Sequence, residues 1–337
     1  MDLRGLRQFI AVVENGSFTA AAEKLRIAQP ALSQQLRKLE LELGCQLLQR
    51  LPRGVMPTPE GQRLLGHARD LLARAAAVRD ELRGEAAAPI GDVTLHLPQS
   101  VAGLLTVPLL SAVLKEFPQV RLRVVESMTG YIPDWLRNGR IDLGMLFHAE
   151  AGRGLSLSRL LEEQLFLVGP ADAAPEAGFL GVDGNGTVPF ATLAKLPMIL
   201  PGVPHGLREL IDQMARRHGM KLQAVAEVDA LAQLTEAVAA GLGWTILSFT
   251  AIREALRAGR VQAWRIDRPA ISRSVYLGRA ADRPGTRAVI AVERLLRQVM
   301  TRIVQDGGWP AVLAPARCPE TVIFRQAQRL DLGSGSK

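Results

Sequence analysis

Residues 17–43, SFTAAAEKLRIAQPALSQQLRKLELEL, constrain this chain more than any other stretch. Leu32, Leu36, Leu39 and Leu43 recur at helical spacing and form one apolar stripe. Gln34, Arg37 and Lys38 lie away from that stripe, and Gln29 and Ser33 sit near its N-terminal end. Ser17 is a good N-cap for a preceding short helix, whose Ala20-Ala21-Ala22 run lets two helices approach closely. Pro30 suits a first helical turn, where no amide donor is needed. Two short helices joined by a tight turn follow, with 29–43 as the more polar one. Amides, a hydroxyl and cations on its open face are the groups that read base edges and phosphates in a major groove. On periodicity alone such a pair with a polar face is ordinarily a surface helical hairpin; the other reading of this geometry is a helix-turn-helix with 29–43 as recognition helix.

The sequence downstream adds two features. RLPRGVMPTP, residues 50–59, combines Pro, Gly and two arginines in a hairpin-like turn. It reads either as a wing placing Arg50 and Arg53 against backbone phosphates or as an ordinary basic loop. From Thr58 to about Arg83 a helical pattern runs on. Gly61, Leu64, Ala68, Leu71, Ala75, Val78 and Leu82 alternate spacings of three and four along it. Such a seam needs a partner, either the same helix of a second chain or the rest of this one.

Three consecutive blocks, LRQFIAVVENGSFTAAAEKL, AQPALSQQLRKLELELG and QLLQRLPRGVMPTPEGQRLL, resemble the N-terminal module of LysR-type transcriptional regulators. The resemblance covers Leu3 to about Leu82. Within that family, IAQPALSQQ, RGVMPTPEG and LVG at 167–169 are similar to the nitrogen-assimilation-control branch. The resemblance implies base and backbone contacts from Gln29, Pro30, Ala31, Ser33, Gln34, Arg37, Arg50 and Arg53. It also implies double-stranded promoter DNA as partner, a homodimer through 58–83, assembly into a homotetramer, and a possible contact with RNA polymerase.

After Pro89 strands and helices alternate. VTLHL, VRLRVVE and IDLGMLF are separated by helical segments near 104–117 and 131–138. QLFLVG, PMILPG, QAVAEV, GWTIL, VQAWRI and SVYLGR continue the series, and RAVIAVERLLRQVMTRIV closes it as a helix. That is βαβ patterning and predicts a parallel, doubly wound sheet. The family resemblance implies a two-lobed, periplasmic-binding-protein-like effector domain. Its lobe I would be 91–164 with 267–305, and its lobe II 165–266. Ligands of α/β sheets lie beyond the C-terminal ends of strands. Ser100 and Val101 follow the first strand, Thr129 the second, and Pro201 and Gly202 follow PMIL, so these five are the expected effector contacts. Ser100 and Thr129 read equally as plain N-caps.

The expected organisation is therefore α/β overall. A winged helix-turn-helix (1–57) and a linker helix (58–90) precede the effector domain (91–305), and a Gly/Pro-rich flexible tail (306–337) ends the chain. A length of 337 residues and an apolar fraction of 48% suit two or three domains with real cores. The net charge of +8 fits a nucleic-acid partner. Residues 1–90, with 13 Lys/Arg against 10 Asp/Glu, supply only +3 of it, so charge does not localise the binding.

Only Cys45 and Cys318 are present, without metal-ligand spacing, which suits a reducing cytoplasm. MDLRGLRQFIAVVENG is a charged amphipathic helix rather than a signal peptide, and AVAAGLGWTILSFTAI is shorter than the ~20 residues of a bilayer span. No nucleophile elbow, zinc-protease helix or phosphate-cradling loop occurs, and GVDGNGT at 181–187 lacks a strand-to-helix context. An enzyme, a cofactor and a metal are not expected. A ligand-controlled regulator is the favoured reading. A nucleoid-type DNA binder without ligand control and a solute-binding protein are the alternatives.

Overall fold

The computed structural model describes residues 1–84, 88–127, 129–148, 154–173, 186–203 and 205–315. Cys318, most of GVDGNGT, residues 85–87 of the expected linker and positions 316–337 of the expected tail lie outside them.

Helices α1 (Leu3–Asn15), α2 (Phe18–Leu25) and α3 (Gln29–Leu43) come first. Asp2 caps α1 by accepting from the Gly5 amide at 2.6 Å, and Ser17 caps α2 through the Ala20 amide at 3.4 Å. Gly16 and Gly44 end α1 and α3 in left-handed conformation. Phe9, Val12, Ala21, Ala22, Leu32, Leu36 and Leu39 are buried together as one core. The hairpin of β1 (Leu48–Leu51) and β2 (Gly54–Pro57) adds Leu47 and Val55 to it. Next comes α4 (Pro59–Leu82), capped by Thr58 on the Gly61 amide at 3.0 Å. A Cβ on Gly61 would stand 2.0 Å from the Leu47 carbonyl, so only glycine lets α4 start against the hairpin.

Strand β3 (Gly91–Leu97), α5 (Gln99–Glu116), β4 (Val120–Glu126), α6 (Ile132–Arg137) and β5 (Leu143–Leu146) follow. β3 is parallel to both β4 and β5, as βαβ crossovers require. The chain continues through β6 (Leu155–Pro170), β7 (Thr187–Pro189), β8 (Met198–Leu200), α7 (Gly206–Arg217) and β9 (Ala224–Glu227). It then forms α8 (Leu231–Ala239), β10 (Thr245–Ser248), α9 (Phe249–Arg257), β11 (Val261–Asp267), β12 (Ser272–Ala280), α10 (Arg287–Gln305) and β13 (Ala311–Leu313). The polypeptide divides into two compact units. The first is Met1–Gly144 with Arg283–Gln305, and the second is Met145–Asp282 with the segment from Asp306.

The second unit corrects the expectation of a purely parallel sheet. Its 16-residue strand β6 runs antiparallel to β10, β11, β12 and β13. β11 pairs with the second half of β6 and β12 with the first, so 261–267 and 272–280 lie in succession beside it, joined through a bend at 268–270. Two extended chain runs lying side by side need no helical crossover, and an antiparallel ladder results. Parallel pairing survives between β8 and β9 and between β11 and β7. The unit's core gathers Leu165, Leu167, Phe190, Ile199, Leu234, Ile246 and Trp264.

A polar cluster crosses this unit. Arg273 of β12 donates from Nε to Glu163 of β6 at 2.7 Å and from Nη2 to Ser248 Oγ at 3.0 Å. Its guanidinium lies 3.7 Å from the Phe147 ring centroid. Trp309 Nε1 donates to the other Glu163 oxygen at 2.8 Å. The first ten residues of the expected flexible tail are therefore ordered structure. Trp309 is fully buried and β13 pairs with β6, because an indole with a carboxylate partner outweighs the Gly/Pro character of its neighbours.

Candidate nucleic-acid interface

On α3 the burial alternates as a reading helix requires. Leu32, Leu36 and Leu39 are buried, whereas Gln29, Pro30, Ala31, Gln34, Arg37 and Lys38 are exposed and Ser33 is half-buried. Leu43, expected on the buried stripe, is 39% exposed because the helix ends at Gly44 and the core stops one turn earlier. With no side-chain cap at Ala28, Pro30 in the first turn supplies the helix start.

Arg50 belongs to β1 and Arg53 to the turn between β1 and β2, and both are exposed. The Arg50 guanidinium sits 5.3 Å from the Phe18 ring centroid, and its Nη2 reaches Ser33 Oγ at 3.4 Å. Hairpin, α2 and recognition helix thus share one polar edge. Two further ties hold it. The Val55 amide donates to the Gly16 carbonyl at 2.8 Å, and Glu40 accepts from the Leu47 and Leu48 amides at 2.9 and 3.2 Å. Sequence reading missed Phe18 and Glu40. Sequence gives no signal that singles out Glu40, because α3 carries two acids, Glu40 and Glu42, against Arg37 and Lys38.

Along α4 the expected seam splits in two. Gly61 and Ala68 are buried and Leu64 and Ala75 half-buried, but Leu71, Val78 and Leu82 are 41%, 53% and 82% exposed.

Each expected effector residue has a definite local setting within its own unit. Ser100 is half-buried in the first turn of α5, where Pro98 rather than Ser100 holds the N-cap position. Val101 is buried and its amide donates to the Pro98 carbonyl at 2.9 Å. Thr129 opens a 3-10 turn, Thr129–Tyr131, and its side chain lies outside the described set. In the second unit, Pro201 is buried and its carbonyl accepts from Arg208 Nη1 at 3.0 Å. The Gly202 amide donates to Asp229 at 2.8 Å.

Of the histidines, His96 is buried with Nε2 3.0 Å from the Ser127 carbonyl, and His148 Nε2 lies 3.0 Å from the Gly206 carbonyl. His205 caps α7 by accepting from the Leu207 amide at 3.2 Å. Burial lowers its pKa below the ordinary 6.5, and nearby Arg273 lowers it further. In the first unit, burial raises the Asp142 pKa above 3.8, against the Thr94 amide that donates to it at 2.8 Å. Among the described residues, no three His, Cys, Asp or Glu side chains gather to hold a metal, and no helix is long and apolar enough to cross a membrane.

A winged three-helix head on a long helix, followed by α/β units, is the build of a one-chain DNA-binding regulator with a sensor half. Comparison with known proteins supplies the family. Residues 3–62 match the bacterial regulatory helix-turn-helix of the lysR family, and residues 86–301 match the LysR substrate binding domain. The chain belongs to the LysR-type transcriptional regulators. It is 34% identical to the nitrogen assimilation regulatory protein nac of Escherichia coli (strain K12), over 91% of this chain and 97% of that protein. Its fold matches a full-length OxyR variant from Pseudomonas aeruginosa at TM-score 0.73 and 23% identity, over 89% and 94% of the two chains. Full-length CbnR in complex with its target DNA aligns at TM-score 0.60 and 22% identity, over 89% and 100%.

Proposed function

We propose that this regulator reads a specific operator in double-stranded promoter DNA. Gln29, Ser33 and Gln34 face base edges, and Arg37, Arg50 and Arg53 face phosphates. The observation that carries this reading is the exposed polar face of α3, with Arg50 fixed over Ser33 beside it. Pro30 and Ala31, small and exposed at the helix start, let the backbone approach the duplex. The nac protein's name makes promoters of nitrogen-assimilation genes the first to test.

The open half of the α4 seam is covered by the same helix of a second chain, giving a homodimer and, by pairing of dimers, a tetramer in the cytoplasm. A small-molecule effector bound by Ser100 and Thr129 shifts the population between two arrangements of the regulator and so its contact with RNA polymerase.

The test is selection of duplexes from a random pool by the full-length protein, followed by binding at several salt concentrations. An enriched, two-fold-symmetric sequence supports operator reading. Binding of all duplexes alike, with the same steep salt slope, identifies a nucleoid-type binder instead.

A further inference from the structure

The short helix α6 ends on carbonyls that lie past its internal hydrogen bonds; the Gly139 amide donates to the Leu136 carbonyl at 3.1 Å, and two arginines from distant parts of the chain add further donors. Arg283, just ahead of α10, reaches the Leu136 carbonyl at 3.5 Å and the Arg137 carbonyl at 3.4 Å. Arg69, midway along α4, donates from Nη1 to the Asn138 carbonyl at 3.2 Å. Gly139 makes room for this arrangement. It is left-handed, at φ +61°, and a Cβ there would stand 2.4 Å from the Arg283 guanidinium.

Both arginines are also tied to acids. Arg283 Nε donates to Asp70, the neighbour of Arg69 on α4, at 2.9 Å. Arg69 Nη2 donates to Glu14 on α1 at 2.8 Å. Further along, Asp80 of α4 accepts from the Arg287 amide, at the first residue of α10, at 2.9 Å. The helix that sequence reads as a linker is thus fastened to the α/β part of the first unit at two levels.

Arg69, 11% exposed, differs from Arg283 in what its guanidinium joins, because one of its two links runs to the DNA-reading head. One nitrogen holds α1, whose Phe9 and Val12 pack in one core with Leu32 and Leu36 of the recognition helix. Another holds the end of α6, which begins directly after the Thr129–Tyr131 turn. The Asn138 bond is already long. A displacement of the α6 end by about 1 Å breaks it, since hydrogen bonding fades beyond about 3.5 Å. A planar, rigid fork cannot follow one acceptor without tilting away from the other.

We propose that Arg69 is a positioning residue that couples the α6 end to the DNA-reading head through Glu14, with Asp70–Arg283 holding α4 in place for it. The inference rests on the operator-reading function above and supplies the route by which that reading is regulated. Coupling is reciprocal, so DNA bound at the head must register at α6 even when no effector is present.

The experiment is amide hydrogen exchange of the full-length protein, with and without a duplex enriched from the random pool. In the wild type, exchange across 136–139 slows about fivefold or more on DNA binding, the lower end of ordinary coupling. Arg69→Met loses that change while retaining DNA binding. So does Glu14→Ala, which cuts only the α1 end and serves if the first variant folds poorly. Arg69→Lys loses it as well, because an ammonium replaces the charge but not the fork. A merely structural arginine would alter exchange with and without DNA alike, leaving the DNA-induced difference in place, and that result refutes the proposal. Wild-type exchange at 136–139 that ignores bound DNA refutes the coupling alone. A pool that yields no enriched sequence refutes operator reading and the coupling with it.

Discussion

Glu163→Gln probes the most consequential contact in the second unit. The substitution keeps the shape of the side chain and removes its charge. Arg273 is 5% exposed and Glu163 2%, so the guanidinium has little solvent to replace the lost partner. Breaking a buried pair from one side costs about 3–5 kcal/mol, chiefly because an uncompensated charge remains. The amide oxygen still accepts one hydrogen bond, which places the expectation near the lower figure, about 3 kcal/mol.

Trp309→Phe tests the other oxygen of the same carboxylate. It removes the indole donor, and leaving one acceptor unmet costs about 1–3 kcal/mol, to which the space left by the smaller ring adds. Replacing both charged partners, Glu163→Leu with Arg273→Met, costs much less than the two single losses together, because no bare charge is left behind. Urea unfolding followed by tryptophan fluorescence reads these differences, since Trp244, Trp264 and Trp309 lie in the second unit and only Trp135 in the first. With a slope of about 3 kcal/mol per molar for a unit of this size, Glu163→Gln moves the second unit's midpoint down by about 1 M. A shift below about 0.3 M, or a double replacement as costly as the singles combined, would show that the pair is solvated and refute the reasoning.

Gln34→Ala costs about 1–3 kcal/mol on the selected operator and relaxes preference at one base position, while Arg53→Ala weakens all duplexes alike and lowers the salt slope by about one. Arg53 controlling base choice would reverse those assignments. Leu71→Glu puts a charge into the open α4 seam and yields monomers in sedimentation, with weaker operator binding; unchanged dimers would place the interface elsewhere. His205→Asn concerns pH. The folded state holds His205 below its ordinary 6.5, so the unfolded chain takes up the proton first as pH falls. The stability it supplies is complete above 6.5 and is lost progressively below. Asn keeps an acceptor for the Leu207 amide but does not titrate, so the fall in the urea midpoint from pH 7.5 to 5.5 is smaller than in wild type. Equal falls would exclude His205 as the group responsible.

The DNA-reading head was legible because its determinants are local. Leu32, Leu36 and Leu39 announce a buried stripe by spacing alone, and Ser17, Pro30 and Gly44 mark helix ends within a few residues of the events they control. The charged contacts were not legible. Arg69 finds Glu14 and Asn138, Arg283 finds Asp70, and Trp309 finds Glu163, each across a separation at which sequence carries no pairing signal. Leu43 shows the limit even of a local pattern, since spacing sets the face of a helix and not where the core beneath it stops.

The first half of β6 joins both lessons. LSLSRLLEEQLFLVG begins with the alternation of a strand, and the structure carries that strand unbroken from Leu155 to Pro170. Sequence reading kept only QLFLVG, because Arg159, Glu162 and Glu163 interrupt the apolar pattern. Two of those residues stay partly at the surface, where Arg159 pairs with Glu162. Glu163 goes inside, and Arg273 and Trp309 make that placement tolerable. A carboxylate in a buried strand position breaks the rule that patterns the rest of the sheet, and a protein keeps such a residue only where partners neutralise its charge. Three side chains from β6, β12 and the C-terminal segment meet there. The departure from pattern that hid the strand is therefore the same feature that fastens residues 306–315 to the second unit.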